Sequence, residues 1–248
     1  MGSISVLEIF SIGIGPSSSH TVGPMRACRR FLLELREREF LEDVASLKIE
    51  LYGSLAMTGK GHATDIAILL GLEGETPDCV NPDEVPAKVA RIQNEKTISL
   101  FGRHSIAFDP DSDILFLRGK RLPFHSNAFR IKAFNKNLKQ IYTQLYYSVG
   151  GGFVITHGET TTSNKEKTEA TFVPYPYKTS EELLAHCARK NKMIWEIVLE
   201  NEKTNRPEAD VRAGIFKIWD AMRSCVQRGI KTGGELPGGL KVQRRAPS

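Results

Sequence analysis

Residues 21–35 read TVGPMRACRRFLLEL, and they predict a long helix. Apolar side chains recur there every three or four residues, which is the period of a helix with one buried face. They are Val22, Met25, Cys28, Phe31, Leu32 and Leu35. Beyond the expected end of this helix at residues 37–40, Leu47, Ile49 and Leu51 alternate with charged residues and predict a half-buried strand. A helix followed by such a strand predicts a mixed α/β fold.

The same patterns place elements along the rest of the chain. Further helices are expected at residues 5–10, 63–72, 83–97, 180–190, 194–201 and 208–228, and further strands at 105–108, 113–117, 128–134 and 140–148. Pro86 suits the first turn of one helix, and Thr179 and Glu182 have the spacing of a capping box at another. The predicted class is α+β. An α/β domain is expected over residues 1–158, a linker over 159–178, and the first helices of a second domain over 179–248.

Composition is that of an ordinary globular protein. Of the 248 residues, 40% are hydrophobic and 25% are charged, so the chain can bury a sizeable core. The net charge of +5 is mixed with acidic residues, and the dense basic patch is confined to Lys241–Arg245, so no nucleic-acid partner is expected. No stretch has the length of a membrane span and no secretory signal is recognisable, so a cytoplasmic location without a membrane partner is expected.

The four cysteines, Cys28, Cys79, Cys187 and Cys225, are scattered along the chain and include no Cys-x-x-Cys pair. That spacing argues against a zinc site or a disulfide framework. Cys28 and Cys225 fall within helical patterns, and we expect both to be buried and reduced.

Residues 15–21 read GPSSSHT and stand directly before the long helix. Exposed N–H groups at a helix start favour an anion, and Ser and Thr hydroxyls add donors, so a carboxylate would suit this position. The alternative is an ordinary N-cap, for which Ser and Thr are the usual residues. Three serines and a histidine exceed what one cap needs, which slightly favours a functional site.

A second polar segment, residues 52–65, reads YGSLAMTGKGHATD and joins the predicted strand to the next helix. Loops at strand ends are where ligands bind in open α/β sheets. Lys60 and His62 bring a positive charge and a proton-carrying group, and His62 could meet Asp65 on one face of a helix. The alternative is a glycine-punctuated loop with a solvated lysine. His125-Ser126-Asn127 is a weaker third candidate, because a lone loop histidine is usually a surface residue.

Residues 12–25, IGIGPSSSHTVGPM, resemble the signature of bacterial iron–sulfur L-serine dehydratases. Four later segments, at residues 52–67, 146–153, 173–176 and 236–246, are similar to further segments of that family. The resemblance covers the whole chain. It implies an L-serine ammonia-lyase, which converts L-serine to pyruvate and ammonia without pyridoxal phosphate.

The resemblance also implies a cofactor, a fold and partners. A 4Fe–4S cluster with one open iron would take the substrate hydroxyl as a Lewis acid, and a base would remove the α-proton. The first domain would resemble the allosteric substrate-binding domain of phosphoglycerate dehydrogenase, and a helical second domain would hold the cluster through three cysteines. The partners implied are L-serine and a second copy of the enzyme in a homodimer.

Carried over residue by residue, the resemblance predicts one substrate pocket. The residues expected to bind the substrate are Ser17, Ser18, Ser19, Thr21, Ser54, Lys60, Gly61 and Asn127. The residues expected to carry the catalysis are His20, His62 and His125. Which of these histidines moves a proton stays open at this point.

The cysteines depart from the family pattern, because none of the four falls in a motif that matches the cluster ligands. We therefore expect no metal ligand in this chain. It would be a truncated product, or a partner chain would supply the cluster-bearing half, and alone it would be inactive. Helices after residue 179 would then expose apolar side chains such as Ile215, Ile218 and Trp219. The alternative function is a non-catalytic amino-acid-binding or regulatory fragment.

Overall fold

A computed structural model describes residues 5–159, 173–236 and 241–247. The helices are α1 (Val6–Ile9), α2 (Gly23–Glu37), α3 (Gly53–Thr58), α4 (Thr64–Leu72), α5 (Val85–Glu95), α6 (Pro110–Asp113), α7 (Ser180–Lys190), α8 (Ile194–Glu202) and α9 (Glu208–Gly229). The strands are β1 (Ser46–Tyr52), β2 (Thr97–Leu100), β3 (His104–Ala107), β4 (Ile114–Leu117), β5 (Asn127–Phe134), β6 (Gln140–Gly150) and β7 (Phe153–Thr156). A π-helical turn over Ser18–Val22 runs into α2, and 3₁₀ turns cover Leu41–Asp43 and Lys60–His62.

Five strands form the main sheet in the order β4-β1-β5-β6-β7, and β2 and β3 form a separate two-stranded sheet. β1 runs parallel to β4 and antiparallel to β5. The register pairs Ile49 with Ile114 on one side and with Ile131 on the other, so apolar residues of three strands share one face. Side chains alternate between the two faces of a strand, so the apolar alternation in β1 directs this face into the core.

Helix α2 packs between the sheet and α4. Phe31, Leu32 and Leu35 are fully buried in the main core, where each such side chain contributes about 1.5–3 kcal/mol. Glu34 on the same helix accepts hydrogen bonds from the Tyr146 and Tyr142 hydroxyls of β6, at 2.7 and 3.0 Å. Apolar burial and these polar contacts together fix α2 against the sheet.

Two glycines let α2 approach its neighbours closely. A side-chain carbon at Gly71 of α4 would lie 2.4 Å from the Met25 carbonyl oxygen. At the start of α2, a side-chain carbon at Gly23 would lie 2.0 Å from Ser148 Oγ of β6. A residue larger than glycine at either position would force α2 out of place.

Contacts divide the chain into two units. The α/β unit comprises residues 11–162 and 233–245, and the helical unit comprises residues 1–10, 163–232 and 246–248. In the helical unit, Thr179 Oγ1 accepts from the Glu182 N–H while the Glu182 carboxylate accepts from the Thr179 N–H, both at 3.3 Å. This confirms the predicted capping box at the start of α7.

Two buried side chains at the end of α8 hold distant segments of the helical unit. Glu202 accepts hydrogen bonds from Ser5 Oγ at 2.7 Å and from the Val6 N–H at 2.8 Å. Asn201 bonds in both directions with the backbone of Tyr175, at 2.9 and 2.8 Å. Helix α1 is therefore tied to α8, a helix that lies far from it in the sequence.

An apolar groove of about 840 Å³ lies along α1, α8 and α9, and Trp195 and Ile218 are among its lining residues. Ile215 and Trp219 are exposed, as we expect from the sequence, whereas Ile218 is only partly exposed. No helix in the described part of the chain is both long and apolar enough to cross a membrane.

The mixed α/β class is confirmed, but two strands are missing from the sequence-based prediction. The helix expected over 83–97 ends at Glu95, because Lys96 takes a left-handed conformation and Thr97 begins β2. β7 follows three consecutive glycines, Gly150, Gly151 and Gly152, after which the sequence predicts no strand. All three have positive φ, and they form a tight turn that returns the chain as a further strand.

Cys28 is fully buried as predicted, whereas the prediction for Cys225 is wrong. Residues 222–228 of α9 are all exposed, so the helical pattern around Cys225 does not correspond to a buried face. Residues 160–172 of the predicted linker and residues 237–240 of the last family-like segment lie outside the described residues. The predicted domain boundaries stay predictions.

Gly53 joins β1 to α3 with a φ of 53°, and a side-chain carbon there would lie 2.3 Å from the Ser126 carbonyl oxygen. We expect Gly53→Ala to lower the free energy of unfolding by about 2 kcal/mol or more, from left-handed strain and from contact with a backbone atom. Urea unfolding followed by circular dichroism measures this loss. Gly119→Ala is the matched control, because nothing lies within 4 Å of a side-chain carbon there. Equal losses in the two variants would contradict the role of Gly53.

Candidate functional site

His20 lies at the centre of the candidate site, in the π-helical turn that leads into α2, and only 8% of it is exposed. Its Nδ1 atom lies 3.0 Å from Ser19 Oγ. Its Nε2 atom lies 3.0 Å from Thr58 Oγ1 and 3.3 Å from Ser54 Oγ. Since a hydroxyl can donate or accept, these contacts suit a neutral imidazole in either tautomer. The turn brings together residues from both polar segments of the sequence.

The serines before His20 shape the turn. The Ser17 carbonyl accepts from the Thr21 N–H at 2.9 Å and from Thr21 Oγ1 at 2.5 Å, so the buried Thr21 hydroxyl is bonded inside the turn. The Ser18 carbonyl accepts from the first N–H of α2. The Ser17 and Ser19 hydroxyls lie 3.3 Å apart, and all three serines are partly exposed. Ser17 and Ser19 thus present hydroxyls beside His20, whereas Thr21 holds the backbone.

His62 lies on the 3₁₀ turn after α3, and its ring centroid is 4.7 Å from that of His20. Its Nδ1 atom lies 2.9 Å from the carbonyl oxygen of Thr58. A carbonyl can only accept, so Nδ1 carries the proton in the neutral ring and Nε2 keeps a lone pair. His62 is partly exposed, and its neutral ring offers one unprotonated nitrogen as a base.

The two histidines are electrostatically coupled. Burial lowers the pKa of His20 below its usual value, and the neighbouring His62 lowers it further, against a smaller opposite effect of Ser54. A second positive charge at this separation in a partly dehydrated site is unfavourable. His20 is therefore neutral at neutral pH, and the pair does not hold two protons there.

Lys60 and Gly61 belong to the same 3₁₀ turn as His62. The Lys60 Nζ atom lies 3.2 Å from Asp65 Oδ2 and 5.6 Å from the centre of the Phe116 ring. Asp65 thus pairs with Lys60, where the sequence suggests a contact with His62. The Lys60 side chain is 58% exposed, so this ion pair is weak and its ammonium group remains accessible. A role for Lys60 or Gly61 in substrate binding stays a prediction.

His125 and Asn127 are joined to each other at the start of β5. The Asn127 N–H donates to His125 Nδ1 at 3.0 Å, so the proton of the neutral His125 ring sits on Nε2. An isolated bridge pairs Asn127 with Gly53, the residue before Ser54. The polar segment around His125 is thereby connected by backbone pairing to the loop that carries Ser54.

Thr58 and Ser148 are site residues that the sequence reasoning does not single out. Thr58 contacts His20 through its hydroxyl and orients His62 through its carbonyl. Ser148 lies beside Asn127, whose Nδ2 atom is 3.4 Å from the Ser148 carbonyl. Within the described residues, the buried Ser148 Oγ and Asn127 Oδ1 atoms have no hydrogen-bond partner. The four-residue spacing of Ser54 and Thr58 is the signal that could have placed Thr58 on the same face.

The described residues do not fit the iron–sulfur cluster that the family resemblance implies. In this part of the chain, no group of three His, Cys, Asp or Glu side chains is placed to hold a metal ion. The four cysteines are free thiols, and Cys28 is buried in the core. That burial raises the pKa of the Cys28 thiol far above its usual value, which keeps it protonated and unsuited to bind iron.

Comparisons with a family and with individual proteins point to the same family. Residues 5–159 match the family described as serine dehydratase beta chain. The chain is similar to the L-serine dehydratase of Streptomyces coelicolor, with 47% identity over 243 residues. It is 39% identical over 246 residues to the L-serine dehydratase of Haemophilus influenzae, and 38% identical over 244 residues to L-serine dehydratase 1 of Escherichia coli. These alignments cover 98–99% of the chain but 53% of each relative, so the chain spans about half the length of those relatives.

The coupling between the histidines predicts a pH response. We expect His20 to titrate below about 6.5, and His62→Gln to raise its pKa, because the second cause of the depression is removed. The unfolded chain takes up this proton as the pH falls through about 6.5, and the folded chain does so only lower, so acid destabilises the fold in that window. Imidazole NMR titration of both proteins measures the shift. A His20 pKa that is unchanged in His62→Gln would contradict the coupling.

Proposed function

The chain belongs to the serine dehydratase beta chain family, and on that premise we propose that it forms the L-serine-binding part of an L-serine dehydratase, which converts L-serine to pyruvate and ammonia. The observation that supports this most directly is the His20–His62 pair, 4.7 Å apart and bordered by hydroxyl groups. An unprotonated nitrogen next to hydrogen-bond donors is what removal of the α-proton of an amino acid requires.

In this proposal the hydroxyl groups hold the substrate carboxylate. Ser17 and Ser19 are partly exposed on the π-helical turn, and Ser54 faces them across His20. Hydrogen bonds to an ionised carboxylate are charge-assisted and stronger than bonds between neutral groups. Lys60 can add its ammonium group, because leaving the exposed pair with Asp65 costs about 1 kcal/mol or less.

His62 is the base in this proposal. Its Nε2 lone pair accepts the α-proton, and the imidazolium that forms keeps its Nδ1–H bond to the Thr58 carbonyl, now strengthened by the charge. His20 stays neutral because burial opposes its protonation, so the new charge on His62 meets no second one. His125 has its proton on Nε2 and would act as a donor toward the substrate.

The products follow from the substrate chemistry. Loss of the α-proton together with hydroxide from the β-carbon gives aminoacrylate. Aminoacrylate tautomerises to an imine, which water converts to pyruvate and ammonia. The part that we assign to the described residues is binding of serine and transfer of the α-proton to His62.

The proposal also includes finer features that the family resemblance implies. Lewis-acid assistance to the departing hydroxide, assigned in the family to a 4Fe–4S cluster, would need ligands from the part of the curated relatives that this chain does not span. The helices α7–α9 would be the first helices of the domain that carries those ligands. The α/β unit would share the fold of the allosteric substrate-binding domain of phosphoglycerate dehydrogenase, and the working enzyme would be a cytoplasmic homodimer.

Calorimetry with L-serine tests the binding site. We expect saturable binding to the 248-residue chain, and a loss of affinity of about tenfold or more in the double variant Ser17→Ala, Ser19→Ala, because charge-assisted bonds are removed. Ser105→Ala, an exposed serine on β3, is the matched control and should leave the affinity unchanged. L-serine that fails to bind, or an equal loss in Ser105→Ala, would overturn the assignment of the site.

A chimera tests the chemistry. This chain would replace the aligned half of the Streptomyces coelicolor relative, and pyruvate formation would be assayed after anaerobic supply of iron and sulfide. We expect turnover of L-serine, and a fall in kcat of about 10²-fold or more in His62→Gln, because the base is lost. Binding of L-serine without turnover in the folded chimera would favour the alternative function, an amino-acid-binding module.

A further inference from the structure

A cavity of about 240 Å³ in the α/β unit lies between α2 and the turn that follows α4. Arg26, Arg29, Arg30 and Leu33 of α2 line one side, and residues 76–78 line the other. The three arginines stand at positions i, i+3 and i+4, so they share one face of the helix. This arginine cavity has three guanidinium groups in its lining and one carboxylate, that of Asp78.

Neutral groups hold two of the guanidinium groups in place. Arg26 Nη1 donates to the Gly152 carbonyl at 2.9 Å, and Arg29 Nε donates to the Gly74 carbonyl at 3.2 Å. A carbonyl orients a guanidinium group without neutralising its charge. Each group keeps further N–H donors, since a guanidinium group has five.

Arg30 differs from its two neighbours. It is paired with the carboxylates of Glu34 and Glu159, each at 2.9 Å. Within the described residues, ion pairs with carboxylates are found for Arg30 but not for Arg26 or Arg29. The cavity therefore has two guanidinium groups, those of Arg26 and Arg29, that carbonyl groups orient and with which no carboxylate of the described residues forms an ion pair.

We infer that the arginine cavity binds a small oxyanion, with a carboxylate or phosphate group facing Arg26 and Arg29, at a site separate from that of the amino acid. A guanidinium group can bind two oxygens of one oxyanion side by side, and two oriented groups can hold it from two directions. Like charges that share one face of a helix repel one another, and an anion that binds between them relieves this repulsion. Pockets for drug-sized ligands have about 300–1,000 Å³, so the smaller volume here favours a compact anion over a nucleotide.

The arginine cavity is mechanically linked to the turn that carries His20. That turn ends at Val22 and continues into α2, one turn before Arg26. A side-chain carbon at Gly152 would lie 2.5 Å from Val22 Cγ1 and 3.1 Å from Arg26 Nη1, so these three residues meet without clearance. An anion bound by Arg26 would therefore lie next to a residue packed against the start of the turn that carries His20.

NMR titration of the 248-residue chain tests this inference, with inorganic phosphate in one series and succinate in another, at ionic strength held constant with chloride. We expect saturable shifts of the Arg26 and Arg29 Nε–H signals and of the backbone amides of Thr76, Asp78 and Cys79. Arg29→Gln and Arg26→Gln, prepared separately, should each weaken binding about tenfold, because a charge-assisted bond is lost. Arg103→Gln removes the same charge at an exposed position outside the cavity and should leave the affinity unchanged.

The two series distinguish the source of the oxyanion. Saturation by phosphate alone assigns the cavity to phosphate compounds, and saturation by succinate alone assigns it to carboxylates. Three results would overturn the inference: no saturation by either anion, shifts confined to residues 17–21 and His62, or equal weakening in Arg103→Gln. The inference does not rest on serine as the substrate, so failure of L-serine to bind would leave it intact.

Discussion

Helix α2 packs so closely against α4 and β6 that no side chain fits at the two glycines between them, and the position of the candidate site depends on this packing. Only glycine fits at position 71, 2.4 Å from a backbone oxygen of α2, and at position 23, 2.0 Å from a side-chain oxygen of β6. The tyrosine hydroxyls bonded to Glu34 add a polar connection to the same strand. Because the π-helical turn is continuous with α2, packing of a long helix fixes the position of His20. A site supported in this way holds its geometry better than one built on a mobile loop.

The two histidines differ because their neighbours differ. Hydroxyl groups surround His20 and can donate or accept, so they allow either tautomer, whereas the Thr58 carbonyl allows His62 only one. Burial adds a second difference, since it disfavours charge on His20 more than on the partly exposed His62. Thr58 contacts both rings, that of His20 through its hydroxyl and that of His62 through its carbonyl. One residue thus assigns unequal roles to two side chains that look equivalent in the sequence.

The sequence predicts most of the fold where the pattern is long and strongly periodic. The helix over residues 23–37 and the strand over 46–52 follow from apolar spacing alone, because one buried face sets their period. Of the four-residue strands, β3 and β4 are predicted whereas β2 and β7 are not. The first residue of β2 falls within the helix predicted over 83–97, and three glycines precede β7. For the candidate site, sequence motifs predict which segments of the chain contribute residues, but they do not predict which side chains contact each other. That Asp65 pairs with Lys60, or that Thr58 lies between the histidines, depends on turns whose geometry no local pattern specifies.

The bond between Glu202 and the first helical turn has a consequence for the order of synthesis. Ser5 and Val6 are made before their partner, which follows 196 or more residues later. At about 5–20 residues per second, these two residues wait about 10–40 s for α8. Residues 11–159, which carry the strands of the α/β unit, are made in that interval and can fold first. The contact of Glu202 with residues 5 and 6 can form only after them, so this part of the helical unit closes later than the sheet.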